Sequence, residues 1–123
     1  MILRVGIDHL EIKRMARAIE NPRFLTRYFG AQELAYLESR GFPPASVAAG
    51  FCAKEAFAKA LGTGLRFFEL CEIELLREES GRPYLVFSGK AKELADDSGL
   101  TFDVSISHDK KYALAQVIGY RGS

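Results

Sequence analysis

Apolar residues recur at helical spacing most clearly between Phe51 and Leu61, and the rest of the chain reads outward from that stretch. At 100° per residue, Ala53, Ala56, Phe57, Ala60 and Leu61 fall on one side, the stripe of a core helix. Lys54, Glu55, Ala58 and Lys59 fall on the other, with Phe51 among them. Gly62 can close the helix with a left-handed cap and Ser46 can open it, so the pattern predicts a long central helix over about 46–61. Upstream, Ile2 to Asp8 alternates, with Leu3, Val5 and Ile7 on one face and Arg4, Gly6 and Asp8 on the other. That is a half-buried strand closing at an aspartate. Asp8-His9-Leu10-Glu11 has the spacing of a capping box, and Ile12, Met15, Ala16 and Ile19 carry a first helix from roughly Leu10 to Glu20. Asn21-Pro22 stops it and caps a second, short helix through Phe24, Leu25, Tyr28 and Phe29, which Gly30 closes. A third helix runs from Ala31 to Arg40 through Leu34 and Leu37, up to the turn Gly41-Phe-Pro-Pro44.

Beyond the long helix the period changes to two. Cys71, Ile73 and Leu75 alternate with Glu72 and Glu74, and the turn from Glu78 to Pro83 leads into a strand from Tyr84 to Phe87. A short helix, Lys90 to Ser98, follows Ser88-Gly89. Two further strands, Leu100 to Ser107 and Tyr112 to Tyr120, meet at Asp109-Lys-Lys111. This order of elements predicts an α+β fold with a largely antiparallel sheet packed against helices.

Composition narrows the function more than the fold. The 123 residues suit one domain, taken as residues 1–123, and a net charge of +1 gives no global pull towards nucleic acid or a membrane surface. No apolar run approaches membrane-spanning length and the N-terminus has no apolar signal region, so a cytoplasmic protein is expected. Cys52 and Cys71 have no histidine or cysteine at zinc spacing and read as small core residues in a reducing compartment. The charge is unevenly spread. Lys13, Arg14, Arg17, Arg23 and Arg27 face Glu20 alone within residues 13–27, whereas Glu69, Glu72, Glu74, Glu78 and Glu79 face only Arg77 within residues 69–79. A short basic stripe on a nearly neutral chain fits an acidic protein helix better than nucleic acid, although such a stripe is most often just a solvated face.

Lys54, Glu55 and Lys59 place two ammonium groups and a carboxylate on one helix face, just ahead of the Gly62-Thr63-Gly64 turn. A carboxylate for a hard cation and lysines for phosphate oxygens are suitable chemistry for a metal–phosphate group, while the ordinary account of Glu55 and Lys59 is an i,i+4 pair. Asp8 is either a helix cap or a magnesium ligand partnered by Glu55, since Mg²⁺ commonly takes one or two protein carboxylates. His108 lies in Ser105-Ile-Ser-His-Asp109 at a strand end. Nucleophilic hydrolysis through that cluster is discounted, because the chain has no Gly-x-Ser-x-Gly elbow.

Three segments in register resemble one family. Gly6-Ile-Asp8 running on to Arg14, Phe51-x-x-Lys-Glu-Ala-x-x-Lys-Ala-x-Gly-Thr-Gly64, and Val104-Ser-Ile-Ser-His108 followed by Tyr112-Ala-x-Ala are similar to holo-[acyl-carrier-protein] synthase, the short class of 4′-phosphopantetheinyl transferases. The resemblance implies that family's fold and a magnesium-dependent transfer of phosphopantetheine from coenzyme A to a serine of acyl carrier protein in fatty acid biosynthesis, releasing adenosine 3′,5′-bisphosphate. It implies Asp8 and Glu55 as Mg²⁺ ligands. Lys59 and Lys54 would neutralise phosphate charge as the serine attacks the β-phosphorus. His108 and Gly62, Thr63 and Gly64 would lie along the nucleotide, and Arg14, Arg17, Arg23 and Arg27 would dock the acidic carrier. Glu55, a metal-bound water or bulk solvent could take the serine proton. A homotrimer with sites between subunits is also implied. One position departs: the family commonly has an arginine before Phe51, gripping the 3′-phosphate of coenzyme A, where this chain has Gly50. The loop from Gly64 to Phe68 also looks shorter, so Arg66, Lys111 or another basic residue is expected to compensate.

Overall fold

The computed structural model describes residues 3–62 and 67–121. The expectations placed on Thr63, Gly64 and Arg66 lie outside the described residues. In chain order the elements are β1 (Leu3–Glu11), α1 (Ile12–Ala18), α2 (Pro22–Tyr28), α3 (Ala31–Ser39) and α4 (Pro44–Leu61), then a 3-10 turn (Leu70–Glu72). They continue with β2 (Ile73–Arg77), β3 (Pro83–Phe87), α5 (Gly89–Ser98), β4 (Thr101–His108) and β5 (Tyr112–Tyr120). The strands pair antiparallel in two sheets, β1-β5-β4 and β2-β3, so the fold is α+β.

Small residues let α4 lie close on the three-stranded sheet. Ala53, Ala56 and Ala60 on the helix and Ala113, Ala115 and Val117 on β5 are all buried. At the crossing with β1 the residue is Gly6, where a Cβ would collide with the Ala56 carbonyl and lie 2.6 Å from the Ala60 nitrogen. Only glycine permits that approach. Further round the same apolar stripe Phe57 is fully buried and meets Phe87 and Phe102 at ring-centroid distances of 4.6 and 4.9 Å, joining α4 to β3 and β4. The helix begins earlier than its pattern suggests. Pro43 is the N-cap and Pro44 opens the first turn, where a missing N–H costs nothing, so Ser46 lies inside the helix and is not its cap. Gly62 does close it, at φ 87°.

β1 departs from the sequence reading in three ways. It runs through to Glu11, which places Asp8 within the strand, opposite Ala115. The first helix therefore starts at Ile12 with Glu11 as an N-cap that makes no side-chain hydrogen bond, and no capping box forms at Asp8. Pairing with β5 continues the strand past the local helix signal. Finally, the apolar alternation faces outward. Gly6 is buried against α4, whereas Leu3, Val5 and Ile7 are 55%, 51% and 50% exposed. Tyr112 and Leu114 on β5 extend this exposed apolar face.

The acidic run of residues 69–79 has a structural use. Gly30, the N-cap of α3, has no side chain, and a Cβ there would fall inside the Glu74 carboxyl. Glu74 instead accepts from the Glu33 backbone nitrogen at 2.8 Å, while Glu33 accepts from the Gly30 nitrogen at 3.2 Å. A capping box is thus completed from another element. Glu72 accepts from the Ala91 nitrogen at 3.2 Å in the same way, at the start of α5. Carboxylates at helix N-termini meet free N–H groups and the positive end of the dipole.

Candidate functional site

Most of α4 is covered, because the sheet lies along one side and α3 with β2 along another. After its first turn, the part-exposed residues of the helix are Phe51, Glu55, Lys59 and Leu61. The first three are spaced four apart and so form one stripe. Because Gly6 lets β1 sit against α4, Asp8, two residues further along the same face of the strand, comes up beside this stripe. The Lys59 Nζ donates to the Ile7 carbonyl at 2.9 Å and to Asp8 Oδ1 at 3.3 Å. Their side chains are 56% and 22% exposed, so this is an open ion pair that contributes little to stability.

Asp8 and Glu55 act on each other. Partial burial first, and then the Asp8 charge, push the Glu55 carboxyl above its usual range, while Lys59 pulls it back. Beneath them the Cys52 thiol is pushed up to about 12 by burial and then by the Asp8 charge and a hydrogen bond to Asp8. Its Sγ also lies 3.6 Å from the Ala113 carbonyl oxygen. Two carboxylates with a single ammonium leave the cluster one negative charge in excess, an arrangement that a divalent cation relieves. Among the described residues no group of three or more His, Cys, Asp or Glu side chains is placed to hold a metal. Two hard oxygen donors with the remaining positions open suit Mg²⁺, which keeps waters and takes substrate phosphate oxygens.

Lys54 does not belong to this stripe. The expectation that it shares an open face with Glu55 and Lys59, as a group for phosphate charge, fails on packing. It is 0% exposed, bonded to Glu33 Oε1 at 2.5 Å and to the Ile73 carbonyl, and lies 4.8 Å from the centroid of the Phe29 ring. On the helical wheel it stands next to Leu61, at the margin of the apolar stripe, and α3 and β2 cover that margin. Burial pushes Lys54 down and Glu33 up, against their mutual attraction. Glu33 accepts N–H bonds from Gly30 and Leu75 besides Lys54, which favours its ionised form. Sequence reasoning missed Glu33 altogether. Its one signal was the capping-box spacing after Gly30.

His108 is exposed, with Nδ1 3.4 Å from the Asp109 carbonyl. It sits at the other end of α4, in a surface hollow with Ile12, Pro43, Pro44 and Ala45. The helical rise puts Ala45 about 15 Å along the axis from Glu55. Within one chain, therefore, His108 and the Asp8–Glu55–Lys59 cluster are apart. Gly50 is buried on the Glu33 side of α4, where a Cβ would lie 3.1 Å from Phe29 Cε2 and 3.4 Å from Glu33 Oε2. Lys111 is exposed on the turn that Asp109 braces by accepting from the Lys111 and Tyr112 nitrogens, both at 2.7 Å.

Arg14, Arg17, Arg23 and Arg27 are all exposed on α1 and α2, and none of them makes a salt bridge among the described residues. Between these helices and α4 lies a hollow of about 120 Å³ lined by Leu10, Arg14, Met15, Ala18, Phe24 and Phe51. It adjoins the cluster along both elements, since Leu10 follows Asp8 on β1 and Phe51 precedes Glu55 on α4. Phe24 and Phe51 stack there, with centroids 5.9 Å apart.

Residues 4–117 match the family described as "4'-phosphopantetheinyl transferase superfamily". The holo-[acyl-carrier-protein] synthase of Alkaliphilus metalliredigens is 44% identical over 120 residues, covering 96% of this chain and 98% of that one. Among solved structures, the holo-[acyl-carrier-protein] synthase of Neisseria meningitidis superimposes with a TM-score of 0.88 at 28% identity, covering 96% and 98% of the two chains. A synthase–CoA complex from Chronobacterium ammoniagenes superimposes over the whole of both chains with a TM-score of 0.86 at 26% identity.

Proposed function

Given that this chain belongs to the 4′-phosphopantetheinyl transferase superfamily, and is a transferase of that kind, we propose that it is a holo-[acyl-carrier-protein] synthase acting through Asp8, Glu55 and Lys59. It moves phosphopantetheine from coenzyme A to a serine of acyl carrier protein, in support of fatty acid biosynthesis, with residues 1–123 as one transferase domain. The observation that carries this reading is the crossing of β1 over α4 at Gly6, which brings two carboxylates and one lysine to an open edge. Asp8 and Glu55 would hold Mg²⁺, which would supply charge neutralisation and orientation of the pyrophosphate.

The rest of the work falls to the chain's own groups. Lys59 reaches the site from a solvent-facing position and offers its ammonium to the charge on the transferring phosphoryl oxygens. A bond forms from the serine Oγ to the β-phosphorus, and the serine proton passes to Glu55 or to water. The bond from that phosphorus to the bridging oxygen breaks, and adenosine 3′,5′-bisphosphate leaves with that oxygen. Phosphoryl transfer of this type is governed by positioning and charge stabilisation. The exposed arginines of α1 and α2 dock the acidic carrier, supported by their lack of ion-pair partners among the described residues and by the apolar hollow beside them.

The resemblance implies a homotrimer with shared sites, and two features support it. The outer face of β1 and β5 leaves Leu3, Val5, Ile7, Tyr112 and Leu114 to water, a patch typical of an interface. The second is His108, which is remote from the cluster on its own chain and so is available to a neighbour's. Lys111 and Arg66 remain the basic groups offered to the 3′-phosphate in the absence of a side chain at Gly50. A reducing, cytoplasmic setting fits the two free cysteines, and no helix among the described residues is long and apolar enough to cross a membrane.

Intact-mass analysis of apo acyl carrier protein incubated with coenzyme A, Mg²⁺ and the protein tests the reading. The carrier gains one phosphopantetheine group with the parent and none with Glu55→Gln. An unmodified carrier with the parent, at any Mg²⁺ concentration, overturns it.

A further inference from the structure

Against the sheet α4 packs mainly through alanines, Cys52 and Phe57. Its one long polar link to the sheet among the described residues, Lys59 to the edge strand β1, is a solvent-facing side chain that does little to fix the helix's roll about its axis. Among the described residues, Lys54 is the one α4 side chain hydrogen-bonded to α3 or β2. Its ammonium is bonded to the Glu33 carboxylate and to the Ile73 carbonyl, and the same carboxylate takes the Leu75 N–H at 2.9 Å and the Gly30 N–H at 3.2 Å. A single interior ion pair thus fastens α4 to two backbone positions of β2 and to the first turn of α3. Lys54 is also the residue next to Glu55, so any change of roll at one moves the other. A roll of about 20° would carry a carboxylate some 6 Å from the axis by about 2 Å, and misplacements of about 1 Å can cost on the order of 10²-fold in rate.

We propose that the buried Lys54–Glu33 pair is a positioning device that sets the roll of α4 so that Glu55 faces Asp8, rather than a catalytic group or a net source of stability. Buried ion pairs are commonly replaceable by uncharged groups of similar shape without loss of stability, and their best-attested use is to specify one register. The inference rests on the metal-site reading above. A parent enzyme that modifies carrier without Mg²⁺ would sink that reading, and the structural part of the test below would still stand.

The test compares the full-length parent with the double variant Glu33→Gln/Lys54→Met, in which the glutamine retains an acceptor for a β2 N–H. Three quantities are read: the thermal midpoint, Mn²⁺ binding by water-proton relaxation without substrate, and the kcat and KM for coenzyme A. The expected result is a midpoint within about 5 °C of the parent, Mn²⁺ binding weakened about tenfold, kcat lowered at least tenfold and KM changed less than threefold. Parent-like Mn²⁺ binding and kcat in a folded double variant would overturn the proposal. So would a loss of activity no larger than the unfolded fraction explains. Should the double variant not fold, Glu33→Asp, which keeps the charge pair but shortens its reach, decides on the same readings, with Mn²⁺ binding per folded molecule weakened for the proposal and unchanged against it.

Discussion

α4 carries two clusters of the same make-up on its two sides, each one lysine with two acids, and they differ in almost every property that matters. On the α3–β2 side, Lys54, Glu33 and Glu74 are buried and every hydrogen bond is taken up within the fold. On the β1 side, Lys59, Asp8 and Glu55 are part-exposed, their one ion pair is loose at 3.3 Å, and the carboxylates press on each other. The first arrangement is structural because nothing is left over for a ligand. The second has oxygen donors and an ammonium still available, and its excess negative charge is what a cation would relieve. Residue type alone does not separate the two. The cover supplied by other elements does.

The comparison breaks most sharply on substitution in the open cluster. Glu55→Gln or Asp8→Asn should lower kcat on the order of 10³-fold, read by carrier modification, and leave the thermal midpoint unchanged or higher. The closed cluster should respond in the opposite sense. Lys54→Met leaves Glu33 charged and unpaired in the interior, so denaturant unfolding should show a loss of about 3–5 kcal/mol.

The sequence made the parts of the open cluster legible, though not that they meet, and left the closed one illegible, for a physical reason. Helical period placed Glu55 and Lys59 together, and alternation put Gly6 and Asp8 on one face of β1, so both sides of the crossing could be read locally. What covers Lys54 comes from Glu33 and Ile73, 21 and 19 residues away in the chain, and no periodicity carries that. The same lack of context turned β1 inside out. Its apolar positions look inward by composition, yet the inner face must admit a helix at Gly6, and only the residue with no side chain allows it. The carboxylates of β2 and the turn before it were unreadable likewise, because the helix ends they cap lie elsewhere in the chain. Element order and most boundaries followed from local pattern alone, and Asn21 caps α2 by accepting from the Arg23 nitrogen, as its position before Pro22 suggests.

Two smaller effects sharpen the contrast. Gly6→Ala pushes β1 off α4, which should cost about 1–3 kcal/mol by overpacking and lower activity more than that loss explains, because Asp8 moves with the strand. Calorimetry and carrier modification on the same samples separate the two contributions. The pH dependence of stability has a definite sign. Glu55 is held above its usual value near 4.5, so the folded protein binds the proton more tightly than the unfolded chain. Stability from this group is therefore lost as pH rises from about 4.5 through the raised value. Glu55→Gln should raise the thermal midpoint by a degree or two at pH 8, and this advantage should vanish at pH 4. An equal shift at both pH values would remove Glu55 from the account.

Calorimetric titration of Mg²⁺ into the coenzyme A-loaded protein, for the parent, Asp8→Asn and Glu55→Gln, bears most directly on whether the two carboxylates act together on one ion. The account predicts one tight site per chain in the parent, weakened at least tenfold by either substitution alone. Parent-like binding in both variants would contradict it.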